Sequence, residues 1–166
     1  MRSALKASNG RSRFGFMEYH EIADIMDESS VYLRRWYILR TPWFGVYLHN
    51  ILRPDTDRHL HDHPWNFWSF VLKGGYTESV PDRMSRWGLH RLRIWERWSV
   101  HRLRATDSHR IVHLLPHTWT LILVGRRQRD WGFWVENSED LSITAPPYRW
   151  IQWQQYIQLR KDGVIK

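Results

Sequence analysis

The stretch HLHDHPWNFWSFVLKGG, residues 59–75, places three histidines at alternate positions, His59, His61 and His63. Successive side chains of an extended strand point to opposite faces, so these imidazoles would share one face, while Asp62 on the other could meet an arginine. Neutral imidazoles that project together suit a divalent metal such as zinc, iron, nickel or copper. The rest of the stretch is apolar and ends at a glycine pair, which predicts a core strand and a tight turn.

Short apolar segments separated by turn residues flank the histidine stretch on both sides. They predict roughly eight or nine strands, with a turn signal about every ten residues and a short helix at each end, over residues 17–27 and 148–159. The pattern lacks the regular helix–strand alternation of a parallel α/β sheet and favours an all-β barrel or sandwich. The predicted strands are residues 31–39, 43–52, 65–73, 76–80, 92–98, 99–103, 109–115, 119–124 and 131–135.

The composition limits the kind of protein that contains this stretch. A chain of 166 residues without cysteine predicts a single domain, residues 17–166, after a flexible basic segment, residues 1–16, and excludes disulfides and thiolate metal sites. The lack of cysteine suits a reducing cytosol, so we expect a cytoplasmic protein with no membrane partner. The net charge of +8 favours an acidic partner, or else reflects arginines that only keep an aromatic-rich protein soluble.

The segment TDSHRIVHL offers the best additional metal ligand. His109 follows a turn and begins a predicted strand, from which it could meet His61 and His63 at one barrel mouth. His113 would share the strand face of His109 but lie about 13 Å deeper. Simpler roles stay open, because His61 and His63 could cap loop carbonyls and His109 could bond to Asp107.

The histidine stretch resembles the first motif of the cupin superfamily, HxH(x)3–4E(x)6G. His61 and His63 occupy the histidine positions, and Gly74 falls on the glycine. Phe67 stands where the motif has its glutamate. The spacing thus agrees with the family, while one expected ligand is replaced by an apolar ring.

The segment around His109 resembles the second cupin motif less closely. His109 matches its histidine and His113 occupies its asparagine position, whereas Arg104 and Thr106 replace its proline and glycine. The resemblance spans about residues 43–135. The runs HDHPW…GGYTE and HRI…TLILVG are also similar to small cupin-like proteins of actinobacteria and their phages.

The resemblance implies an antiparallel jelly-roll barrel with short flanking helices and a divalent metal held by His61, His63 and His109. Because Phe67 cannot bind metal, it implies a three-histidine centre, or one that recruits Glu78 as fourth ligand or general base. A three-histidine set resembles the thiol dioxygenase branch of the cupins, which uses ferrous iron, Fe(II). Zinc, nickel or manganese would suit the same ligands. The implied function is a dioxygenase-like, oxygen-dependent oxidation of a small anionic substrate.

Residues around the predicted mouth supply candidates for substrate binding. Arg110 and Arg127 could bind the substrate's anion, because a guanidinium reads carboxylate or phosphate groups. Trp65 and Phe67 continue the alternation of His61 and His63, so their side chains would lie on the same strand face and could line the pocket. His113 could donate a proton to the substrate from deeper in the barrel.

Two other classes of function stay open from the sequence. The chain could be a non-catalytic module that binds a small ligand or a metal. It could also be a basic protein associated with nucleic acid, which the charge of +8 and the 12 tryptophans would suit. A homodimer is possible with any of these functions.

Overall fold

A computed structural model describes residues 18–23, 29–82, 89–136 and 148–165. Twelve β-strands and one α-helix make up this part of the chain. Every strand pair in it is antiparallel, which confirms the predicted antiparallel, mainly-β class. The predicted flexible segment, residues 1–16, lies outside the described residues. The elements are β1 (Glu18–Ala23), β2 (Val31–Arg40), β3 (Gly45–Ile51), β4 (Leu60–His61), β5 (Phe67–Lys73), β6 (Gly75–Pro81), β7 (His90–Glu96), β8 (Val100–Leu103), β9 (Arg110–Leu114), β10 (Thr118–Val124), β11 (Gly132–Glu136), β12 (Tyr148–Gln152) and α1 (Trp153–Lys161).

The strands form one large sheet and two small ones. The large sheet has six strands in the order β1-β2-β3-β10-β5-β8, and the small sheets have the orders β12-β11-β4 and β7-β6-β9. An isolated bridge joins the small sheets, because His61 and His109 each donate the backbone N–H to the other's carbonyl oxygen at 2.9 Å. The small sheets thus form a second layer whose seam lies at two of the predicted metal ligands.

Apolar side chains hold the two layers together. Leu33, Ile51 and Val71 from the large sheet form one buried cluster with Tyr76 from β6. A neighbouring cluster, centred on Tyr47, fills more of the inner face of the large sheet. Burial of this apolar surface is the main force that stacks the layers, and the inner face also forms one wall of the cavity described below.

The described strands do not close into the predicted barrel. The large sheet ends at β1 and β8, and the second layer ends at β12 and β7. β8 is only four residues long and pairs with β5 alone, so no ladder of the described strands continues from one layer into the other. The described architecture is therefore an open antiparallel sandwich, and the jelly-roll strand order stays a prediction.

The helix predicted over residues 17–27 is wrong where the structure describes it. Residues 18–23 form β1, which pairs along β2 from Glu18 opposite Tyr37 to Ala23 opposite Val31. Ile22 packs on the core cluster between the layers. Pairing with β2 satisfies the backbone hydrogen bonds and buries this side chain, which outweighs a weak helical pattern. Residues 17 and 24–27 lie outside the described residues.

The helix predicted over residues 148–159 is present only in its second half. Residues 148–152 form β12, and α1 runs over Trp153–Lys161. Tyr156 is fully buried and stacks on Phe133 of β11, with ring centroids 3.9 Å apart. The apolar residues near helical spacing thus belong partly to β12 and partly to α1. The spacing alone could not predict where the strand ends and the helix begins. In the part of the chain that the structure describes, no helix is long and apolar enough to cross a membrane.

Candidate metal centre

Three histidine side chains converge at the seam of the second layer. His61 ends β4, His63 lies in the loop after it, and His109 precedes β9. One ring nitrogen from each lies within 4.8 Å of the others, and the Nε2 atoms of His63 and His109 are 2.9 Å apart. The structure thus brings together the residues named as metal ligands from the sequence.

The alternation within the histidine stretch explains why His61 and His63 point the same way. Leu60 and Asp62, the residues between and before them, face the opposite side and are 1% and 0% exposed. The Asp62 carboxylate accepts hydrogen bonds from the backbone N–H of Gly132 at 2.8 Å and from Trp150 Nε1 at 2.9 Å. This anchor fixes the backbone from which both imidazoles project.

Asp62 also meets an arginine, as the sequence suggested. Its Oδ2 atom lies 3.3 Å from Arg129 Nη2 and accepts a hydrogen bond from Trp134 Nε1 at 3.1 Å. Burial raises the pKa of the carboxyl group, and the hydrogen bonds and the arginine oppose this rise. Asp62 is therefore a structural support of the histidine stretch.

Glu78 lies behind His109. Its Oε2 atom accepts a hydrogen bond from His109 Nδ1 at 2.8 Å, and its side chain is fully buried. This places the carboxylate on the ring nitrogen opposite the one that faces His63. A carboxylate in this position fixes the tautomer and orientation of a metal-binding imidazole and increases its basicity. In this geometry Glu78 positions the His109 ring, whereas the sequence suggested a fourth ligand or a general base.

The ionisation of the three histidines follows from their surroundings. Burial lowers the pKa of His61 to about 4, even though Asp55 favours the charged ring. Burial, with His109 as the next cause, also lowers the pKa of His63 well below its usual value. Burial opposes the charge on His109 as well, but its hydrogen bond to Glu78 outweighs this and raises its pKa. His61 and His63 are thus neutral near pH 7, the form in which imidazole binds metal.

Asp55 is a neighbour of the centre that the sequence analysis did not single out. Its Oδ2 atom accepts a hydrogen bond from the backbone N–H of Ile111 at 2.7 Å and lies 3.8 Å from His61 Nδ1. Asp55 thus lies beside His61, at a longer distance than Glu78 lies from His109. The only sign of this in the sequence was that Asp55 lies in the loop just before the histidine stretch.

A cavity of about 110 Å³ separates the histidines from the inner face of the large sheet. Trp65 and Phe67 line it, and so do Tyr47, Ile122 and Val124. A largely apolar wall beside a cluster of polar groups is the usual composition of a small-molecule site. The two aromatic residues named as pocket-lining from the sequence thus lie beside the candidate metal centre.

Other residues named from the sequence lie away from this cavity. Arg110 donates a hydrogen bond to the carbonyl oxygen of Asp57 at 3.3 Å, and Arg127 is exposed and paired with Asp130. His59 bonds to the Tyr156 hydroxyl at 2.8 Å. None of these three lines the cavity.

His113 is exposed, and the expectation that it shares the strand face of His109 is wrong. β9 pairs with β6 through a bulge, since Glu78 lies opposite Ile111 but Thr77 lies opposite His113. A β-bulge inserts one extra residue and reverses which face the following side chains occupy. Ile111 therefore lines the cavity while His113 faces away.

Arg35 and His49 line the cavity instead, and neither was named as a site residue from the sequence. Arg35 Nε donates a hydrogen bond to His49 Nε2 at 2.8 Å, and its guanidinium carbon lies 5.6 Å from the ring centroid of Tyr47. The sequence held one signal for Arg35. It lies two residues after the buried Leu33 in β2, and side chains two residues apart share one face of a strand.

Comparisons with known proteins give distant structural likenesses. No family model matches the chain, and no curated protein matches it. The hydroxypropylphosphonic acid epoxidase from S. wedmorenis is 16% identical with a TM-score of 0.45, over 58% of this chain and 52% of that chain. KdgF from Halomonas sp. is 16% identical with a TM-score of 0.44, over 58% of this chain and 81% of that chain. A Streptomyces PAC13 variant with uridine is 6% identical with a TM-score of 0.46, over 74% of this chain and 80% of that chain.

The matched part of the chain spans about half of the epoxidase, 52%. Likenesses at these identities and TM-scores assign neither a family nor an activity to this chain. The chemistry of the centre therefore rests on its own residues.

Proposed function

We propose that this chain is a cupin-like metalloprotein that binds one divalent metal ion through His61, His63 and His109. The observation that carries the proposal is the convergence of their ring nitrogens within 4.8 Å on the wall of a cavity. In the finer form of the proposal, the metal is ferrous iron and the reaction is an oxygen-dependent oxidation of a small anionic substrate.

The residues present fit a divalent ion. Nitrogen ligands lie about 2.0–2.1 Å from zinc and similarly close to other first-row metals. The 2.9 Å between the Nε2 atoms of His63 and His109 is short enough for both to reach one ion. Three imidazole ligands suit iron, zinc or nickel better than magnesium or calcium, which prefer oxygen ligands, and manganese lies between the two groups. A bound ion would keep its full charge and supply Lewis-acid or redox chemistry.

The residues around the ion would hold its histidine ligands in place and exclude water. Glu78 holds the His109 ring with Nε2 toward the centre. Phe67, where a cupin has its glutamate, is buried against His63 with ring centroids 4.9 Å apart. An apolar ring there leaves a coordination position without a protein ligand, which a substrate could occupy. Arg35 supplies the positive charge in the wall that a small anionic substrate would need.

Replacing Glu78 by glutamine is expected to weaken metal binding by about 10- to 100-fold, the usual cost of removing a carboxylate that orients a metal-binding histidine. The change keeps the shape of the side chain but removes the charge behind His109. A competitive titration against a chromophoric chelator measures the effect. Glu136→Gln, at an exposed position of β11, is the control and should bind like the wild type. Equal affinity in a folded Glu78→Gln protein would show that Glu78 does not position the ligand.

Oxygen uptake by the metal-loaded chain tests the finer proposal. Metal-free protein is reconstituted anaerobically with either ferrous iron or zinc and mixed with small carboxylates and thiol-bearing acids. We expect oxygen consumption that requires iron, a substrate and His61. Stoichiometric metal binding without uptake for any compound would contradict the oxidation and favour a non-catalytic binding module.

A further inference from the structure

A row of polar side chains from three neighbouring strands lies in the wall of the cavity that the large sheet forms. In the antiparallel register, Arg35 of β2 lies opposite His49 of β3, and His49 lies opposite Thr120 of β10. Directly opposite residues on one face of a sheet have Cβ atoms about 4.5–5.5 Å apart, so the three side chains are neighbours. All three line the cavity. The register therefore aims a cation, a neutral ring and a hydroxyl at the same space.

The Arg35 guanidinium is bonded to neutral partners. It donates from Nε to His49 at 2.8 Å and from Nη1 to the Tyr37 hydroxyl at 3.4 Å. Among the described residues no carboxylate forms an ion pair with it, whereas its exposed neighbour Arg34 pairs with Glu21 at 3.2 Å. Burial of the ring lowers the pKa of His49 well below its usual value, with the charge of Arg35 as the second cause, so His49 adds no charge. One positive charge in this wall thus lacks a negative partner.

Thr120 provides a second, independent sign of a binding site. Its side chain is 1% exposed, and its Oγ1 atom has no hydrogen-bond partner among the described residues. A buried hydroxyl without a partner loses its hydration without compensation. A ligand in the cavity that offered an oxygen to this hydroxyl would recover that loss.

We infer that Arg35 and Thr120 form a carboxylate-binding subsite for a small organic monoanion. This inference rests on the proposed function for the role of the ligand, which would reach from Arg35 toward the histidines. One guanidinium balances one negative charge, no lysine lines the cavity, and the carboxylate that does, Asp55, lies 3.8 Å from His61, so a monocarboxylate fits better than a phosphate dianion. A buried water needs about 10–15 Å³, so a cavity of about 110 Å³ accepts on the order of ten non-hydrogen atoms. Short-chain carboxylic acids are of that size.

Calorimetric titration of the metal-free protein tests the subsite separately from the metal. The probes are acetate, propionate and butyrate, with phosphate and ethylammonium for comparison, all at one ionic strength. We expect propionate or butyrate to bind the wild type and to raise its melting temperature. We expect Arg35→Gln to weaken this binding about tenfold or more, and the isosteric Thr120→Val to weaken it about three- to tenfold. Arg34→Gln, the matched control on the opposite face of β2, should bind like the wild type.

The inference is overturned if no carboxylate binds the metal-free wild type, if phosphate binds more tightly than propionate, or if Arg35→Gln or Thr120→Val binds as the wild type does. If Arg35→Gln does not fold, Arg35→Lys replaces it in the experiment because it keeps the positive charge. Arg35→Lys should still bind propionate more weakly than the wild type, because lysine lacks the planar guanidinium that bonds a carboxylate with two N–H groups. If the protein binds propionate but no metal, the proposed function is contradicted and the subsite is not. If it binds metal but no carboxylate, the subsite is contradicted and the proposed function is not.

Discussion

Alanine in place of His109 is expected to abolish stoichiometric metal binding, with a loss of affinity of more than about 100-fold, whereas alanine in place of His113 should leave affinity unchanged. Loss of a direct ligand should exceed the 10- to 100-fold cost of removing a group that only orients one. The two histidines belong to one short segment, but only His109 has its ring in the convergent group. Competitive titration of both variants with zinc and ferrous iron measures the difference.

His61→Ala is a second test of the same claim in case His109→Ala does not fold. His109→Ala leaves the buried Glu78 without its 2.8 Å partner, which could destabilise the fold by itself. Among the described residues, the carboxylate nearest to the ring of His61 is that of Asp55, at the longer distance of 3.8 Å, so the removal of His61 should cost less stability. We expect His61→Ala to lose metal in the same way. If both variants are folded and bind metal like the wild type, the three histidines are not the metal ligands.

Alanine in place of Asp62 is expected to lower the free energy of unfolding by about 3–5 kcal/mol, the range for removing one partner of a buried ion pair. The change would leave the Gly132 N–H and the indole N–H groups of Trp134 and Trp150 without their acceptor. It would also leave Arg129 without the carboxylate 3.3 Å away. The desolvation of these donors would then lack the compensation that the carboxylate oxygens provide.

Urea unfolding of Asp62→Ala and Asp130→Ala measures this effect. Asp130 pairs with Arg127 at the surface, where both side chains are more than half exposed, at 55% and 57%. Exposed pairs contribute about 0–1 kcal/mol, so Asp130→Ala should unfold close to the wild type. A loss below about 1 kcal/mol in Asp62→Ala would show that the histidine stretch does not depend on this anchor.

The common side of His61 and His63 and the place of His109 beside a strand start could be predicted because both depend on local rules. Strand alternation put His61 and His63 on one side, and Asp62 on the other. A turn before His109 placed that residue at the start of a strand. The meeting of His109 with His61, by contrast, depends on a bridge between segments far apart in the sequence, and the resemblance to the cupin motifs supported it rather than a local rule.

The features that the sequence could not predict depend on pairing between distant strands. The bulge between β6 and β9, which turns His113 outward, exists only once those strands are in register. The row of Arg35, His49 and Thr120 likewise requires the order β2-β3-β10. An arginine in an apolar strand resembles a solvated side chain until its neighbours are known. β1 was mistaken for a helix for the same reason, since β2 supplies its hydrogen-bond partners.

Metal content of the untagged wild-type protein tests the central claim most directly. Elemental analysis is made on the chain as purified, after chelation and after reloading with one metal at a time, together with the melting temperature of each form. We predict about one divalent ion per chain, lost on chelation with a lower melting temperature and restored on reloading. Metal far below one equivalent after reloading, with a melting temperature that chelator does not change, would contradict the account.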